Sequence, residues 1–172
     1  MSLSYKAIMA GVAALIVIAA AMGILGYGNT IYPIDRALGN LARAESAQTP
    51  EDVAKYVLAA KVDLPVKGNP VWSFPTPRTD FGLIQMDLDG IVSRATAVAN
   101  VEPHSSAYNT GMEDMHLTLD SLQQNIIEAL PYMYVSTTNM MISVVWIAII
   151  IGLFAVMRRG RAKYREEYEN SQ

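Results

Sequence analysis

Two long uncharged stretches, one near each end of the chain, dominate the alternation of apolar and polar positions. No charged residue occurs from Ala7 to Ile34 or from Ala129 to Met157. A helix needs about 20 apolar residues to cross the hydrocarbon core of a bilayer. Ala7 to Gly26 meets that length, and Met140 to Met157 does so once a turn of the preceding segment is added. In lipid the backbone must satisfy its own N–H and C=O groups, so both stretches read as α-helices, predicted over 7–27 and 139–157. The first run is longer than the apolar core of a secretory signal and leads into a further helical pattern. It therefore reads as an anchor rather than a cleaved leader, although Ala19-Ala20-Ala21 supplies small residues for cleavage.

Between the spans the pattern takes a helical period. Ile31, Ile34, Leu38 and Leu41 recur three and four apart. This spacing predicts one long helix continuing from the first span to about residue 47, bent at Pro33 or Gly39. Thr49-Pro50-Glu51-Asp52 is a helix start: a capping hydroxyl, a proline suited to the first position, and acids at the positive end. That helix is predicted over 50–61. Residues 62–79 hold four prolines and exclude regular helix, yet Val71, Trp72 and Phe74 give the loop apolar anchors. Thr79-Asp80 opens the next helix, over 80–100, with Phe81, Ile84, Leu88, Ile91, Ala95 and Val98 on one face. Pro103 and Gly111 bracket a loop. Met112, Met115, Leu119, Leu122, Ile126 and Ala129 then predict a helix over 111–135, which Pro131 kinks without stopping and which runs on into the second span.

Two matched heptad-type stripes call for packing at a shallow angle. The fold class expected is therefore an all-α membrane protein: two transmembrane helices continuous with an extracytoplasmic, antiparallel, four-helix-type bundle over 28–138. The second bundle helix is short, so the Pro-rich loop must lead back toward the membrane. That places Trp72 and Phe74 either near the lipid headgroups or against the open side of the bundle, and His104 at the far tip.

Charge sets the orientation. Arg158, Arg159, Arg161, Lys163 and Arg165 follow the second span and Lys6 precedes the first, whereas the segment between them holds seven basic against thirteen acidic residues. Basic residues flanking a span stay cytoplasmic, so both termini (1–6 and 158–172) are expected inside the cell and the acidic middle outside. A net charge of −3 gives no basic surface for nucleic acid. With no cysteine, neither a disulfide framework nor a thiolate metal site can form, which fits a prokaryotic ectodomain better than a eukaryotic one.

The residue inventory offers little catalytic chemistry. Glu113 and His116 have Glu-x-x-His spacing, but a di-iron bundle needs that motif twice with two further carboxylates. Met112, Met115 and His116 lie within a turn and could offer thioether and imidazole to Cu(I); the same methionines also sit on the apolar stripe, where they fill core. No metal or other cofactor is therefore assigned. Asp87, Asp89, Asp114 and Asp120 read as a solvated face, and Arg78 and Asp80 as a local surface pair. The spans carry no ionisable residue, which argues against a transport path, while Ala19 and Gly23 give a small-xxx-small pair suited to helix contact. Val71, Trp72, Phe74, Trp146, Arg158 and Arg159 are the candidate contacts with membrane or partners. The segment after the second span is too short to act as an output domain.

Architecturally the chain resembles the ligand-binding part of bacterial and archaeal chemoreceptors, without their long signalling hairpin. Gly68 to Gln85 (GNPVWSFPTPRTDFGLIQ) resembles a stretch of small two-span membrane proteins of ammonia-oxidising archaea, some of which are accessory subunits of archaeal ammonia monooxygenase, a copper membrane enzyme. That resemblance implies a non-catalytic subunit packed beside larger copper-bearing ones; the enzyme's metal-ligand histidine pattern is absent here, so no catalytic residue carries over. The expected function is thus a structural subunit of a membrane complex, in contact with lipid and other subunits as a homo- or hetero-oligomer, and not itself an enzyme. The alternative is a sensory or ligand-binding module acting through a partner chain.

Overall fold

A computed structural model describes residues 3–135 and 137–169, with side chains for 9–133, 135 and 139–160. Met1, Ser2 and the side chains of Lys6, Arg161, Lys163 and Arg165, which bear on the orientation, lie outside the described residues. The described elements are helical throughout: α1 (Leu3–Gly26), a π-helical turn (Tyr27–Ile31), α2 (Tyr32–Glu45), α3 (Pro50–Asp63), a 3-10 turn (Pro77–Thr79), α4 (Phe81–Val98), α5 (Ser106–Tyr134) and α6 (Thr137–Glu169). They form two compact units, one built from α1 and α6 and the other from Tyr27–Ser136.

In the first unit α1 and α6 touch each other, and apolar side chains of both face outward: Ile16, Ile24, Ile151 and Phe154 are each more than half exposed. The helical stretches Met9–Glu45 and Asn139–Gly160 each contain a window long and apolar enough to cross a membrane. Trp146 is half-buried, and Arg158 and Arg159 are exposed at the end of the apolar run.

The second unit is a ring of four helices in which α2 packs on α3, α3 on α4, α4 on α5 and α5 back on α2. Its core takes Ile34, Ala37, Leu41 and Ala44 from α2, and Val53, Val57, Ala60 and Leu64 from α3 and its end. Phe81, Ile84, Leu88, Ile91 and Ala95 come from α4, and Met112, Met115, Leu119, Leu122, Ile126 and Ala129 from α5. Three polar side chains fix the helix starts by accepting N–H groups that no helical carbonyl reaches: Thr49 from Asp52, Asp80 from Gly82 and Leu83, and Ser105 from Tyr108. Asp80 is occupied as a cap and does not form the local pair with Arg78.

Some expectations hold and others need correction. Of the α2 stripe Ile31, Ile34 and Leu41 are buried as spaced and Leu38 is partly buried against the core, while Ala37 and Ala44 are buried beside them. The first span passes into α2 within one helical stretch, Met9–Glu45, as the spacing predicts, and its irregularity is the π turn Tyr27–Ile31. Pro33 has no N–H to offer the carbonyl of Asn29, and the chain relieves this with the π turn before Tyr32. At the other end Pro131 lies inside α5, but the helix ends one turn later: Val135 leaves helical geometry (φ −96, ψ 50) and α6 begins at Thr137. The fourth bundle helix and the second span are therefore separate helices. Finally, α5 starts at Ser106 and not near 111. Gly111 is no breaker; it is inside the helix because α4 comes so close that a Cβ there would lie 2.6 Å from Val98 Cγ2.

Each of the four helix contacts carries one polar clasp. Arg36 pairs with Asp63 across α2 and α3, Lys61 with Asp89 across α3 and α4, and Arg94 with Asp114 across α4 and α5. The fourth is neutral on one side: Gln123 Nε2 donates to Glu45 Oε2 at 2.6 Å, closing α5 on α2. Asp89 and Asp114 are thus paired rather than simply solvated. Arg36 Nε also donates to Asp63 Oδ2 at 2.6 Å, and this hydrogen bond holds the guanidinium pKa above its ordinary value. A raised cationic pKa contributes stability that is fully present below the ordinary arginine range and is lost only at still higher pH.

Candidate functional site

The two ends of the four-helix unit differ in chemistry. The chain enters at the π turn and leaves at Val135, and these lie at one end, since the π turn contacts α5. The α3–α4 connection returns to that same end, where it builds a braced loop. Gly68 adopts φ +106, a conformation that side-chain-bearing residues rarely take, and its carbonyl accepts the N–H of Phe81 at 2.9 Å. Asn69 Oδ1 accepts from Val71 N–H and from the Thr79 hydroxyl, both at 3.0 Å, while its Nδ2 donates to the Thr76 carbonyl at 2.7 Å. Thr79 is only 3% exposed. Gln85 Nε2 then reaches the carbonyls of Lys61, Leu64 and Pro65 at the end of α3, which have no helical donor of their own.

With its polar groups used internally, the loop presents two aromatics outward. Trp72 is 50% and Phe74 83% exposed. Trp72 Nε1 donates to the carbonyl of Val135 at 2.7 Å, so the indole caps the last turn of α5. Val71, expected beside them as a contact residue, is only 7% exposed; it packs inward and supports the loop instead. Around the same end Tyr27, Tyr32, Val62, Val66, Leu83, Met86 and Ile127 are exposed apolar or aromatic residues.

No protein-family model, curated protein or solved structure matches this chain. Its chemistry must be read from its own residues.

The opposite end holds a cleft of about 510 Å³, lined by Glu45, Ala47, Gln48, His104, Tyr108, Asn109, Met112, Glu113, His116, Leu117 and Asp120. It exists because α2 has 14 residues and α5 has 29, about 21 Å against about 43 Å, so α5 outruns its neighbour. Beyond Gln123, the face of α5 that would meet α2 carries Asp120, His116, Glu113 and Asn109. Both histidines of the chain meet here. His104, in the α4–α5 loop at φ +62, lies with its ring centroid 6.2 Å from that of Tyr108. His116 Nε2 is buried and finds no hydrogen-bond partner among the described residues. Leaving a buried polar atom unpaired costs about 1–3 kcal/mol.

The copper candidates divide in this arrangement. Met115 is fully buried among the core residues, whereas Met112 and His116 line the cleft. Among the described residues no three His, Asp or Glu side chains come close enough to share an ion. Sequence spacing exposes the His116–Glu113 relation, but not that Glu45, from a different helix far back in the chain, joins the same cleft.

Proposed function

We propose that this chain is a membrane-anchored, non-catalytic subunit of a membrane protein complex. Its two apolar helices cross the bilayer, and its four-helix unit stands outside the cytoplasm with its apolar end against lipid and neighbouring subunits. The carrying observation is the uneven distribution of exposed apolar side chains on that unit. Tyr27, Tyr32, Val62, Val66, Trp72, Phe74, Leu83, Met86 and Val135 belong to the end where the chain enters and leaves, against Leu58 and Leu117 away from it, while the other end exposes Ser46, Gln48, Glu51, Asn100 and Glu102. Exposed apolar surface of this extent marks an interface, and tryptophan and tyrosine suit the headgroup region. The resemblance of Gly68 to Gln85 makes a copper membrane monooxygenase the first assembly to test.

Native electrophoresis of gently solubilised membranes is the test. The chain is expected in a band larger than itself that also contains other membrane subunits. Migration solely as a free monomer, with no subunit recovered beside it, defeats the proposal. A second reading, a ligand-binding module acting through a partner chain, draws its support from the polar cleft.

A further inference from the structure

We propose that the pocket between the braced loop and the end of α5 takes the headgroup of a zwitterionic phospholipid, with the phosphate on Arg78 and the ammonium on Glu128. The proposal rests on the reading that the apolar end of this unit meets lipid, and it names the lipid. An open charge couple carries it. Elsewhere in the bundle, opposite charges on neighbouring helices close on each other: Arg36 on Asp63, Lys61 on Asp89 and Arg94 on Asp114. Arg78 and Glu128 do not. They line one pocket of about 250 Å³, formed where the 3-10 turn packs on α5. Among the described residues neither makes a hydrogen bond or an ion pair, with the other or with anything else. Asp80, two residues from Arg78, is engaged as the cap of α4. A guanidinium and a carboxylate that share a pocket without meeting leave room for a molecule carrying both charges in the opposite sense.

The rest of the lining suits the same ligand. The space is several times the share of one water molecule, about 30 Å³. Arginine presents a planar fork of donors that matches phosphate oxygens. Phe74 and Tyr132 line the pocket beside the two charges, and aromatic rings attract an ammonium group. Thr79 is buried with its hydroxyl donated to Asn69, so it does not compete for the ligand. Place in the chain commits the zwitterion to a lipid. Glu128 is the last charged residue before the uncharged stretch from Ala129 to Met157. Trp72, in the same loop as Phe74, donates to the carbonyl of Val135, and four residues later Asn139 begins the second membrane-length stretch. Four residues of chain reach at most about 14 Å. Phe74, 83% exposed, adds an apolar surface at the pocket that a headgroup with its acyl chains can cover and a free polar solute cannot.

The test is native mass spectrometry of the full chain released from micelles that contain equal amounts of phosphatidylethanolamine and phosphatidylglycerol. The wild type is expected to keep one phosphatidylethanolamine under activation that strips other lipid. In Glu128→Gln the preference for it over phosphatidylglycerol should fall at least about fivefold, and Arg78→Gln should keep neither lipid. Lys67→Gln, an exposed cation of the same loop outside the pocket, should behave as the wild type. Arg78 and Glu128 are exposed and unpaired, so their variants should also melt as the wild type does. Equal retention of the two lipids by the wild type, or retention unchanged in both pocket variants, overturns the proposal. So does loss of the preference in Lys67→Gln, or displacement of the lipid by millimolar free phosphoethanolamine, which would make the ligand a soluble zwitterion. These results leave the membrane reading standing, whereas a chain that did not enter micelles at all would defeat both. The measurement needs only the isolated chain, so its outcome is separate from whether the chain assembles with other subunits.

Discussion

Replacing Gly111 by alanine tests how closely α5 rests on α4, and so where the cleft-lining side chains on either side of it are held. In an open helix interior, glycine to alanine stabilises by about 0.5–1 kcal/mol, because the unfolded chain loses freedom and the helix gains a better former. Gly90 in α4 provides that reference, since a Cβ there meets nothing within 4 Å. At Gly111 the new methyl would lie 2.6 Å from Val98 Cγ2. Relief requires Val98 to leave its rotamer, at about 0.5–1.5 kcal/mol, or the helices to part, with overpacking of about 1–3 kcal/mol. The alanine gain offsets only part of this, so Gly111→Ala should come out about 0–2 kcal/mol less stable than wild type, and Gly90→Ala more stable. For a domain of about 100 residues, 1 kcal/mol moves Tm by roughly 4 °C or more. Thermal melts of the full chain in detergent, followed by circular dichroism, separate the two alanines. Val98→Ala placed in the Gly111→Ala background should recover part of the loss, because it removes the colliding methyls. If Gly111→Ala raises Tm as much as Gly90→Ala, the close approach is wrong and so is the reason for glycine inside α5.

Three further outcomes follow from the same contacts. Asp80→Ala removes the oxygen that caps α4 and should destabilise by about 1 kcal/mol, while Asp87→Ala on the exposed face should stay within about 0.5 kcal/mol; paired chemical denaturation curves check this. Gly68→Ala must adopt φ +106 and should cost about 1–3 kcal/mol although nothing crowds its Cβ; an unchanged melting temperature would contradict the loop geometry. In a Trp146→Phe background the emission of Trp72 should be quenched by lipids brominated near the headgroup and less by those brominated at the chain end; no quenching by either would show that the apolar end does not rest on the bilayer.

The parts of this fold that depend on near neighbours in the chain can be read from it. The stripes Phe81–Ala95 and Met112–Ala129 occupy the core as spaced, and Thr49 and Asp80 cap the helices they precede. What stayed hidden depends on partners far away in sequence. Gly111 looks like a breaker until Val98 is placed against it. Asp89 and Asp114 look solvated until helix packing brings Lys61 and Arg94 across. The helix break at Val135 is hard to foresee because Pro131 sits a turn earlier, and the indole that caps the freed carbonyl comes from 63 residues upstream. The cleft is a matter of unequal helix lengths, and the length of α5 depends on its start at Ser106, ahead of the apolar stripe that begins at Met112.

The bracing of residues 68–80 has a bearing on what any contact made by this loop would cost in lost freedom. Fixing a flexible backbone takes about 1–2 kcal/mol per residue in lost entropy. Here Asn69, Thr76, Thr79 and Gln85 do that work during folding, before anything arrives. Trp72 and Phe74 are therefore offered as a preformed pair of wedges. On the proposed function, a neighbour that accepted them would have its own groups to order but not this loop's backbone, so less of the contact would be offset by lost freedom.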